Sequence, residues 1–230
     1  MPMARNRISQ FGDVPLLYDR DPVANYGKCG FRTHPHVDTV FALQTDIAFG
    51  EMFLVLEAMD LGQVTAILFG GVDRTGGGSS LHHKGRAFDL DGLVFDNGFI
   101  WMADTFATQP HQYLAIEGVL RQNFGTVLTS GYDSAHRDHI HFDNGEPVGF
   151  QRHSKSRVLY LQNALKFLFD QMLTIDGVWG PETQSIEREV RKELGLGGLS
   201  IRSNWVGFIE ASIDIATDRA RELNQGGLIA

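Results

Sequence analysis

The sequence contains a single cysteine, Cys29, among its 230 residues. An intrachain disulfide is therefore excluded, and so is a zinc site built from several thiolates. Basic residues are also few, since 20 Lys and Arg stand against 28 Asp and Glu and give a formal charge of −8. Because phosphate binding requires a basic face, this balance argues against a nucleic-acid partner. It argues equally against adhesion to an anionic membrane surface.

Long hydrophobic runs are absent as well. The sequence has no stretch of about 18 consecutive apolar residues, so no membrane-spanning helix is expected. Residues 1–10 are basic but lack the apolar centre of a signal peptide. We therefore expect synthesis in the cytoplasm, and delivery to any outside substrate by phage lysis or a secretion machine.

The apolar residues, 43% of the chain, fall into short segments with helical or extended periodicity. Residues 1–35 are rich in Gly, Pro, Asp and Asn, which predicts irregular structure. The pattern as a whole predicts an α+β fold with a small, mostly antiparallel sheet and surrounding helices. Strands are predicted at 64–69, 86–94, 99–102, 127–129 and 139–142, and helices at 38–61, 111–124, 158–168, from 182 onward and at 205–223.

The composition changes near residue 150. Residues 151–157 are polar and basic, which is typical of a linker. The helical patterns that follow are separate from those before it. We therefore predict two domains, residues 1–150 with the sheet and residues 151–230 as a small all-α domain of three helices.

Two clusters of His and Asp residues carry the chemistry. His82 and Asp89 lie seven residues apart with the small residues Gly85 and Ala87 between them, and the second cluster occupies residues 138–143. A zinc hydrolase needs three protein ligands, an open coordination position and a base close to it. The first cluster can supply two ligands and the second can supply the third. The sequence therefore predicts a catalytic Zn²⁺ site.

Strand geometry indicates which residues of the second cluster share a face, because residues two apart lie on the same face and residues three apart do not. If the segment is extended, His139 and His141 face the ion, with His141 as third ligand and His139 as base. Asp138 then points away unless a bulge turns it inward. Asp143 or Asp91 could orient a ligand imidazole from behind.

Arg74 lies in the glycine-rich segment 70–80, six residues before Ser80. One interpretation is a solvated loop residue. The other is a clamp on a substrate carboxylate or on a developing oxyanion. The spacing alone favours neither interpretation.

Residues 80–89 resemble the signature of zinc D-alanyl-D-alanine peptidases. The residues that match are Ser80, His82, Gly85, Ala87 and Asp89. That family is part of the lysostaphin-like group of cell-wall peptidases. The resemblance covers about residues 64–145. It implies that Zn²⁺ is held by His82, Asp89 and His141.

The same resemblance leaves two residues open as the base. The family uses either the acid of an acid-x-x-His motif or the first His of a His-x-His motif, and this sequence fits both, through Asp138 and His139. It also implies that Arg74 contacts substrate. Ser80 is similar to a serine that supports the substrate site through hydrogen bonds.

The C-terminal part resembles the three-helix peptidoglycan-binding module of many cell-wall hydrolases. The similarity lies in Leu-Gln-x-x-Leu at 161–165 and in Thr-Ile-Asp-Gly-Val-Trp-Gly-Pro-x-Thr at 174–183. A generic helix–turn–helix would explain the Gly and Pro of the second string but not the whole of it. The tail around Trp205 and Phe208 departs from the short module.

Together these patterns predict a zinc-dependent peptidoglycan hydrolase that cuts an amide bond of the stem peptide or crossbridge, as a D-alanyl carboxypeptidase or endopeptidase. Two alternatives remain open. One is a non-catalytic zinc-containing protein that binds the cell wall. The other is a cytoplasmic dipeptidase, which the absence of a signal peptide favours and the binding module opposes.

Overall fold

The computed structural model describes residues 5–20 and 31–226. Within these ranges the chain forms ten strands, five α-helices and two short 3-10 helices. The strands are β1 (Arg5–Arg7), β2 (Gln10–Phe11), β3 (Val14–Tyr18), β4 (Phe31–Arg32), β5 (His36–Asp38), β6 (Val64–Gly71), β7 (Ala87–Phe95), β8 (Ile100–Met102), β9 (Thr126–Leu128) and β10 (Ile140–Asp143). The helices are α1 (Thr39–Ala58), α2 (Pro110–Asn123), α3 (Lys155–Phe167), α4 (Pro181–Glu193) and α5 (Arg202–Gly226).

Eight of the strands form one sheet with the order β2-β3-β6-β7-β10-β9, and β4 and β8 pair at its sides with β3 and β7. Among the described strands, every pairing in this sheet is antiparallel except that of β3 with β6. The predicted α+β class and the mostly antiparallel sheet are thereby confirmed. The zinc site and the separate three-helix domain remain predictions.

The register of the central strands sets the position of the two His and Asp clusters. In the antiparallel pair of β7 and β10, His141 lies directly opposite Asp89. On the other side of β7, Gly71 at the end of β6 also lies opposite Asp89, after a register shift in the ladder. The clusters that are about fifty residues apart in sequence therefore meet at one place on the sheet.

The prediction of irregular structure for residues 1–35 is wrong for the part of that segment that the structure describes. β3 pairs in parallel with the central strand β6, with Leu16 opposite Ile67. The strands are short and are separated by a turn with positive φ at Gly12 and Asp13. Turn residues dominate the composition of such a segment, and a run of at most five extended residues carries little periodicity.

Helix α1 has two apolar faces. Asp38 caps its N-terminus by accepting hydrogen bonds from the backbone N–H groups of residues 40 and 41. Its inner face contributes Phe41, Phe49, Met52 and Leu56 to the core. Its outer face carries exposed large hydrophobic side chains, namely Val40, Leu43, Ile47 and Leu54 at 59–69% exposure.

By length and composition, α1 is long and apolar enough to cross a membrane, and a third (33%) of the residues in its most apolar window are buried inside the protein. The core helix of a folded domain passes the same test. The prediction that the chain has no membrane span therefore stays a prediction.

The C-terminal helices pack on the sheet domain as well as on each other. α5 lies along α2, where a Cβ atom added at Gly118 would come within 2.8 Å of Ile213 and of the Tyr160 hydroxyl. At its far end, Asn224 donates a hydrogen bond to the carbonyl of Met59. The buried apolar residues form one cluster on both sides of residue 150. The predicted division into domains 1–150 and 151–230 is not decided by this packing.

A buried glutamine organises the turn between α3 and α4. Gln162 is fully buried, and its side-chain oxygen accepts hydrogen bonds from the backbone N–H groups of Asp176 and Gly177. Its amide nitrogen donates to the carboxylate of Asp176, the carbonyl of Val178 and the hydroxyl of Thr183. The two C-terminal sequence strings are thus joined through one side chain.

Candidate metal centre

Three side chains from the two clusters meet beside the paired strands β7 and β10. The Nε2 atom of His82 lies 3.2 Å from Asp89 Oδ1 and 3.2 Å from His141 Nδ1. The third side of the triangle, from His141 Nδ1 to Asp89 Oδ1, measures 2.9 Å. Ligand atoms at 2.0–2.1 Å from a tetrahedral ion lie about 3.3 Å from one another. The triangle therefore has nearly the dimensions of one face of a tetrahedral zinc site.

The strand register and one glycine bring the ligand atoms together. Asp89 and His141 are cross-strand neighbours, and His82 lies in the short 3-10 helix Leu81–Lys84 that precedes β7. Gly71 leaves room for the Asp89 carboxylate, because a Cβ atom at this position would come within 2.6 Å of Asp89 Oδ2. A larger residue at 71 would push the carboxylate out of the triangle.

Gly85 connects the segment that contains His82 to strand β5. It adopts φ +63°, in the left-handed region, and ends the 3-10 helix. A Cβ atom there would come within 2.7 Å of the carbonyl oxygen of His36. Its own carbonyl accepts a hydrogen bond from the N–H of Asp38. Gly85 thus seats the His82 segment against β5, whereas Ala87 is a buried residue of β7 opposite Asp143.

Each of the two histidines has a partner for its other ring nitrogen. His82 Nδ1 lies 3.1 Å from the carbonyl oxygen of Val72, which can accept its proton and leave Nε2 free as a ligand. His141 Nε2 lies 3.1 Å from Asp143 Oδ2. Such partners fix the tautomer and orientation of a metal-binding imidazole. Asp143 therefore occupies the position expected for a residue that orients His141.

The carboxylates and imidazoles shift one another's protonation. Burial acts to raise the pKa of Asp89, but hydrogen bonds and charge from His141 and His82 outweigh it and hold that pKa well below its usual range. Burial acts to lower the pKa of His141, but Asp143 and Asp89 outweigh it and raise that pKa to about 9. A cation is thus favoured between these carboxylates, and a metal ion would compete with the proton on His141.

His139 lies beside the triangle with one ring nitrogen directed at it. Its Nε2 atom is 3.7 Å from Asp89 Oδ1, and its Nδ1 atom is 3.1 Å from Asp138 Oδ1. Burial is the main cause that lowers the pKa of His139, which favours the neutral ring. When Nδ1–H donates its hydrogen bond to Asp138 Oδ1, the Nε2 lone pair is available as a base.

Asp138 is bound on both sides. Besides His139, it accepts a hydrogen bond from Arg20 Nη1 at 2.8 Å. Partial burial acts to raise its pKa, but the hydrogen bonds and charges of Arg20 and His139 outweigh that and bring it to about 2. A carboxylate with such a low pKa is a weak base, and its position behind the ring suits it to orient His139.

Arg20 is a residue of this site that the sequence patterns missed. It forms a bidentate pair with Asp91 at 2.6 and 2.8 Å and also reaches Asp138. Burial raises the pKa of the Asp91 carboxyl to about 7, and the hydrogen bonds from Arg20 act against that shift. Asp91, predicted as a possible partner of a ligand imidazole, is instead the anchor of Arg20. A lone arginine in a segment without periodicity gives no signal for this contact.

A cleft of about 470 Å³ lies over His139 and Asp89, and its lining includes Arg20, Arg74 and Arg137. Arg74 and Arg137 are exposed. The backbone of Arg74 is tied to the ligand segment, since its N–H donates to the carbonyl of His82. The structure thus places Arg74 and Arg137 in the lining of the cleft, and the predicted contact of Arg74 with substrate stays a prediction.

Ser80 lies at the start of the short 3-10 helix. Its carbonyl accepts a hydrogen bond from the N–H of His83. Its side chain makes no capping hydrogen bond within the part of the chain that the structure describes. Its predicted support of the substrate site stays a prediction.

Comparison with known families gives one match. The model of a family described as "Extensin-like protein C-terminus" matches residues 71–154, which are 84 of the 230 residues. The matched segment contains the ligand triangle, His139 and Asp138, and it excludes Arg20 and most of the helices. No curated protein and no solved structure matches the chain.

Proposed function

We propose that this protein is a metal-dependent amide hydrolase that acts on peptidoglycan, with Zn²⁺ as its metal. The observation that carries the proposal is the triangle of His82 Nε2, Asp89 Oδ1 and His141 Nδ1 with edges of 2.9–3.2 Å. Two imidazoles and one carboxylate are a donor set that zinc accepts, and three protein ligands leave the fourth position open. A purely structural zinc site would close that position with a fourth residue.

A zinc ion in this site would supply Lewis-acid chemistry, which polarises a carbonyl and acidifies a water molecule. The chain's own residues supply the proton transfer. His139 Nε2 accepts the proton that the attacking water loses, and the same nitrogen returns it to the leaving amine. Asp138 holds the ring through Nδ1 and stabilises the imidazolium that forms. His139 is therefore the proposed base, with Asp138 as its positioning residue.

Cationic side chains above the site fit an anionic substrate. Arg20 is held by Asp91 and Asp138, whereas Arg74 and Arg137 are exposed at the cleft. Guanidinium groups bind carboxylates in bidentate pairs. Stem peptides of the wall end in carboxylates, so we assign Arg74 and Arg137 to substrate binding.

The resemblance to D-alanyl peptidases and to a peptidoglycan-binding module supports the choice of substrate. Both resemblances are to proteins that act on or bind peptidoglycan. The residues that carry the second resemblance are joined in space by the hydrogen bonds of Gln162. The proposed bond is an amide of the stem peptide or crossbridge. We propose that the protein reaches the wall through phage lysis or a secretion machine.

The test is incubation of the purified, zinc-loaded protein with peptidoglycan, followed by mass spectrometry of the released fragments. We expect fragments with new amine ends from the wild type and almost none from His139→Ala. The matched control is His34→Ala, which removes an exposed histidine outside the cleft and is expected to cleave normally.

Two other results would replace the proposal. Wall binding with full zinc content and no cleavage would identify a non-catalytic wall-binding protein. Cleavage of free dipeptides with intact peptidoglycan untouched would identify a dipeptidase. Equal cleavage by wild type and His139→Ala would keep the hydrolase and remove His139 as its base.

A further inference from the structure

The outward face of α1 carries a row of exposed apolar side chains with a regular spacing. Val40, Leu43, Ile47 and Leu54 are 59–69% exposed. Together with Gly50 they follow one another at alternating distances of three and four residues, and we call this row the α1 seam. Such spacing repeats every seven residues and is typical of a helix that packs against a second helix. The opposite side of α1 is already buried in the core.

Gly50 leaves a gap in the α1 seam. A Cβ atom added at this position would meet nothing within 4 Å. No contact in the described part of the chain therefore requires a glycine there. Glycine inside a helix is also destabilising relative to alanine. The gap is open on the outward side, where an apposed helix can place a large side chain.

An antiparallel copy of α1 matches the α1 seam layer by layer. When two such helices run in opposite directions, the first position of the seven-residue repeat on one packs against the fourth position on the other. In this register Ile47 fills the gap over Gly50 of the second copy, and Leu54 packs beside Leu43 of the second copy. A two-fold axis between the helices makes each contact occur twice. The row is therefore complementary to itself.

The charges of α1 favour the antiparallel direction over a parallel one. The helix contains three acidic residues and no Lys or Arg. In a parallel pair Asp46 would face Glu51 of the second copy, and charges at these flanking positions set the orientation of paired helices. In the antiparallel pair each of them faces an uncharged residue instead, Gln44 or Phe53. Glu57 then lies at the outer ends of the α1 seam.

Both flanking carboxylates are bound to neighbouring segments of their own chain. Asp46 accepts a hydrogen bond from the backbone N–H of Gly12 at 2.7 Å, and Glu51 accepts one from the side-chain amide of Asn123 at 2.7 Å. The apolar row between them stays open to a second helix. A membrane surface fits α1 less well, because helices that lie in that interface carry Lys and Arg on their polar face.

We propose that two copies of this chain associate through their α1 seams, with the two helices antiparallel. The contact lies outside the metal centre, so the inference does not rest on the proposed function. A seam on one helix of 20 residues buries less area than a standard protein interface. The dimer is therefore reversible, and its population rises with protein concentration.

Sedimentation velocity of the full-length protein over a range of concentrations provides the test. Ile47→Glu places a charge in the centre of the α1 seam and should weaken association by about 100-fold or more. The matched control is Met172→Glu, which introduces the same charge at a side chain that is 87% exposed and lies outside α1. Both side chains are exposed in the monomer, so both variants should fold. The control should associate like the wild type.

Gly50→Leu distinguishes a shaped contact from non-specific apolar association. The added side chain meets no atom of the monomer within reach of its Cβ and makes the α1 seam more apolar. It also occupies the space that Ile47 of the second copy needs, so association should weaken by about tenfold or more. Circular dichroism checks that the helix content is kept.

Cross-linking tests the direction of the helices. Cys29 is the single native cysteine, so the variants Leu43→Cys and Leu54→Cys are made in a Cys29→Ser background. With a short bismaleimide, a mixture of the two variants should cross-link more readily than either variant alone. In a parallel pair each position would face itself, and the mixture would have no advantage.

Four results would overturn the inference. They are a wild type that stays monomeric at every concentration, unchanged association of Ile47→Glu, stronger association of Gly50→Leu, and cross-linking of each cysteine variant alone that equals that of the mixture. Binding of phosphatidylcholine vesicles by a monomer that never dimerises would assign the α1 seam to a membrane surface instead.

Discussion

The two clefts of this molecule are built from opposite kinds of side chain. The cleft over β7 and β10 gathers carboxylates and imidazoles around one point, with arginines at its edge. The cleft beside α4, which is lined by residues 150–153, Trp179 and residues 198–200 as well as by that helix, gathers arginines around an indole ring and contains one carboxylate. The first arrangement can hold a cation and move a proton, whereas the second can only bind. The comparison assigns the proposed reaction and the proposed binding of the wall to separate surfaces of one chain.

The largest expected effect is that of a substitution which abolishes zinc binding in the first cleft and leaves the second cleft unchanged. Asp89→Asn removes the charge of the carboxylate that touches both ligand histidines. We expect zinc content to fall from one ion per chain to nearly none and hydrolysis to fall by about 10³-fold or more. Metal analysis by mass spectrometry and fragment release measure both.

Asp104→Asn is the matched control, since it changes an exposed aspartate in the same way. Full zinc occupancy in Asp89→Asn would contradict the assignment of the triangle. Loss of binding to the wall in the same variant would contradict the separation of the clefts.

The second substitution distinguishes the proposed base from the proposed metal ligands in the cleft over β7 and β10. His139→Ala removes the proposed base and leaves the three ligand atoms in place. We expect the rate of cleavage to drop by about 10²- to 10⁴-fold with the zinc content unchanged. A loss of zinc equal to that of Asp89→Asn would make His139 a ligand rather than a base.

A third substitution alters the cleft beside α4 indirectly, by removing hydrogen bonds that hold the adjoining turn. Gln162→Leu removes the acceptor and the donor that hold Asp176, Gly177 and Thr183. Losing these hydrogen bonds inside the turn, and leaving the buried hydroxyl of Thr183 without this partner, should lower the free energy of unfolding by about 3 kcal/mol. Urea unfolding followed by circular dichroism measures it.

Binding to the wall should weaken in Gln162→Leu, while the zinc content stays the same. The control Gln225→Leu, at an exposed residue, should stay within about 0.5 kcal/mol of the wild type. An unchanged unfolding free energy in Gln162→Leu would mean that water or the chain replaces the lost contacts.

The smallest effect is a shift of the pH profile. Burial lowers the pKa of His139, so the acid limb of the activity profile should lie at lower pH than the titration of a free histidine. Asp138 acts to raise the pKa of His139, because its negative charge favours the imidazolium. Asp138→Asn removes that charge, so the acid limb of kcat/KM should move to lower pH. A limb that moves to higher pH, or vanishes, would assign proton transfer to Asp138 itself.

The metal cleft was largely predictable because its residues carry local patterns. β7 and β10 are short apolar segments with period-two alternation, and the antiparallel pairing of such strands brings Asp89 opposite His141. The spacing of His82 and Asp89 predicts that both lie in one loop-and-strand unit. The α+β class follows from the same alternation of segments.

What the sequence could not predict depends on contacts between distant segments. Arg20 reaches Asp138 across 118 positions of sequence, and no pattern near Arg20 indicates it. The prediction for residues 1–35 failed for the same reason, since β3 is extended through its pairing with β6 rather than through its own composition. The sign of charge in the second cleft is likewise hidden, because the net charge of −8 averages over the whole chain.

The position of α5 has a consequence for how the two clefts respond to heat. One end of this helix follows residues 198–200 of the second cleft, and the other end contacts Met59 after α1. The buried cluster between these ends is continuous. A ligand that binds only the folded state raises the melting temperature of every part that unfolds with it. Zinc in one cleft and a wall fragment in the other should therefore each stabilise the whole molecule, and calorimetry should record one transition that both ligands move upward.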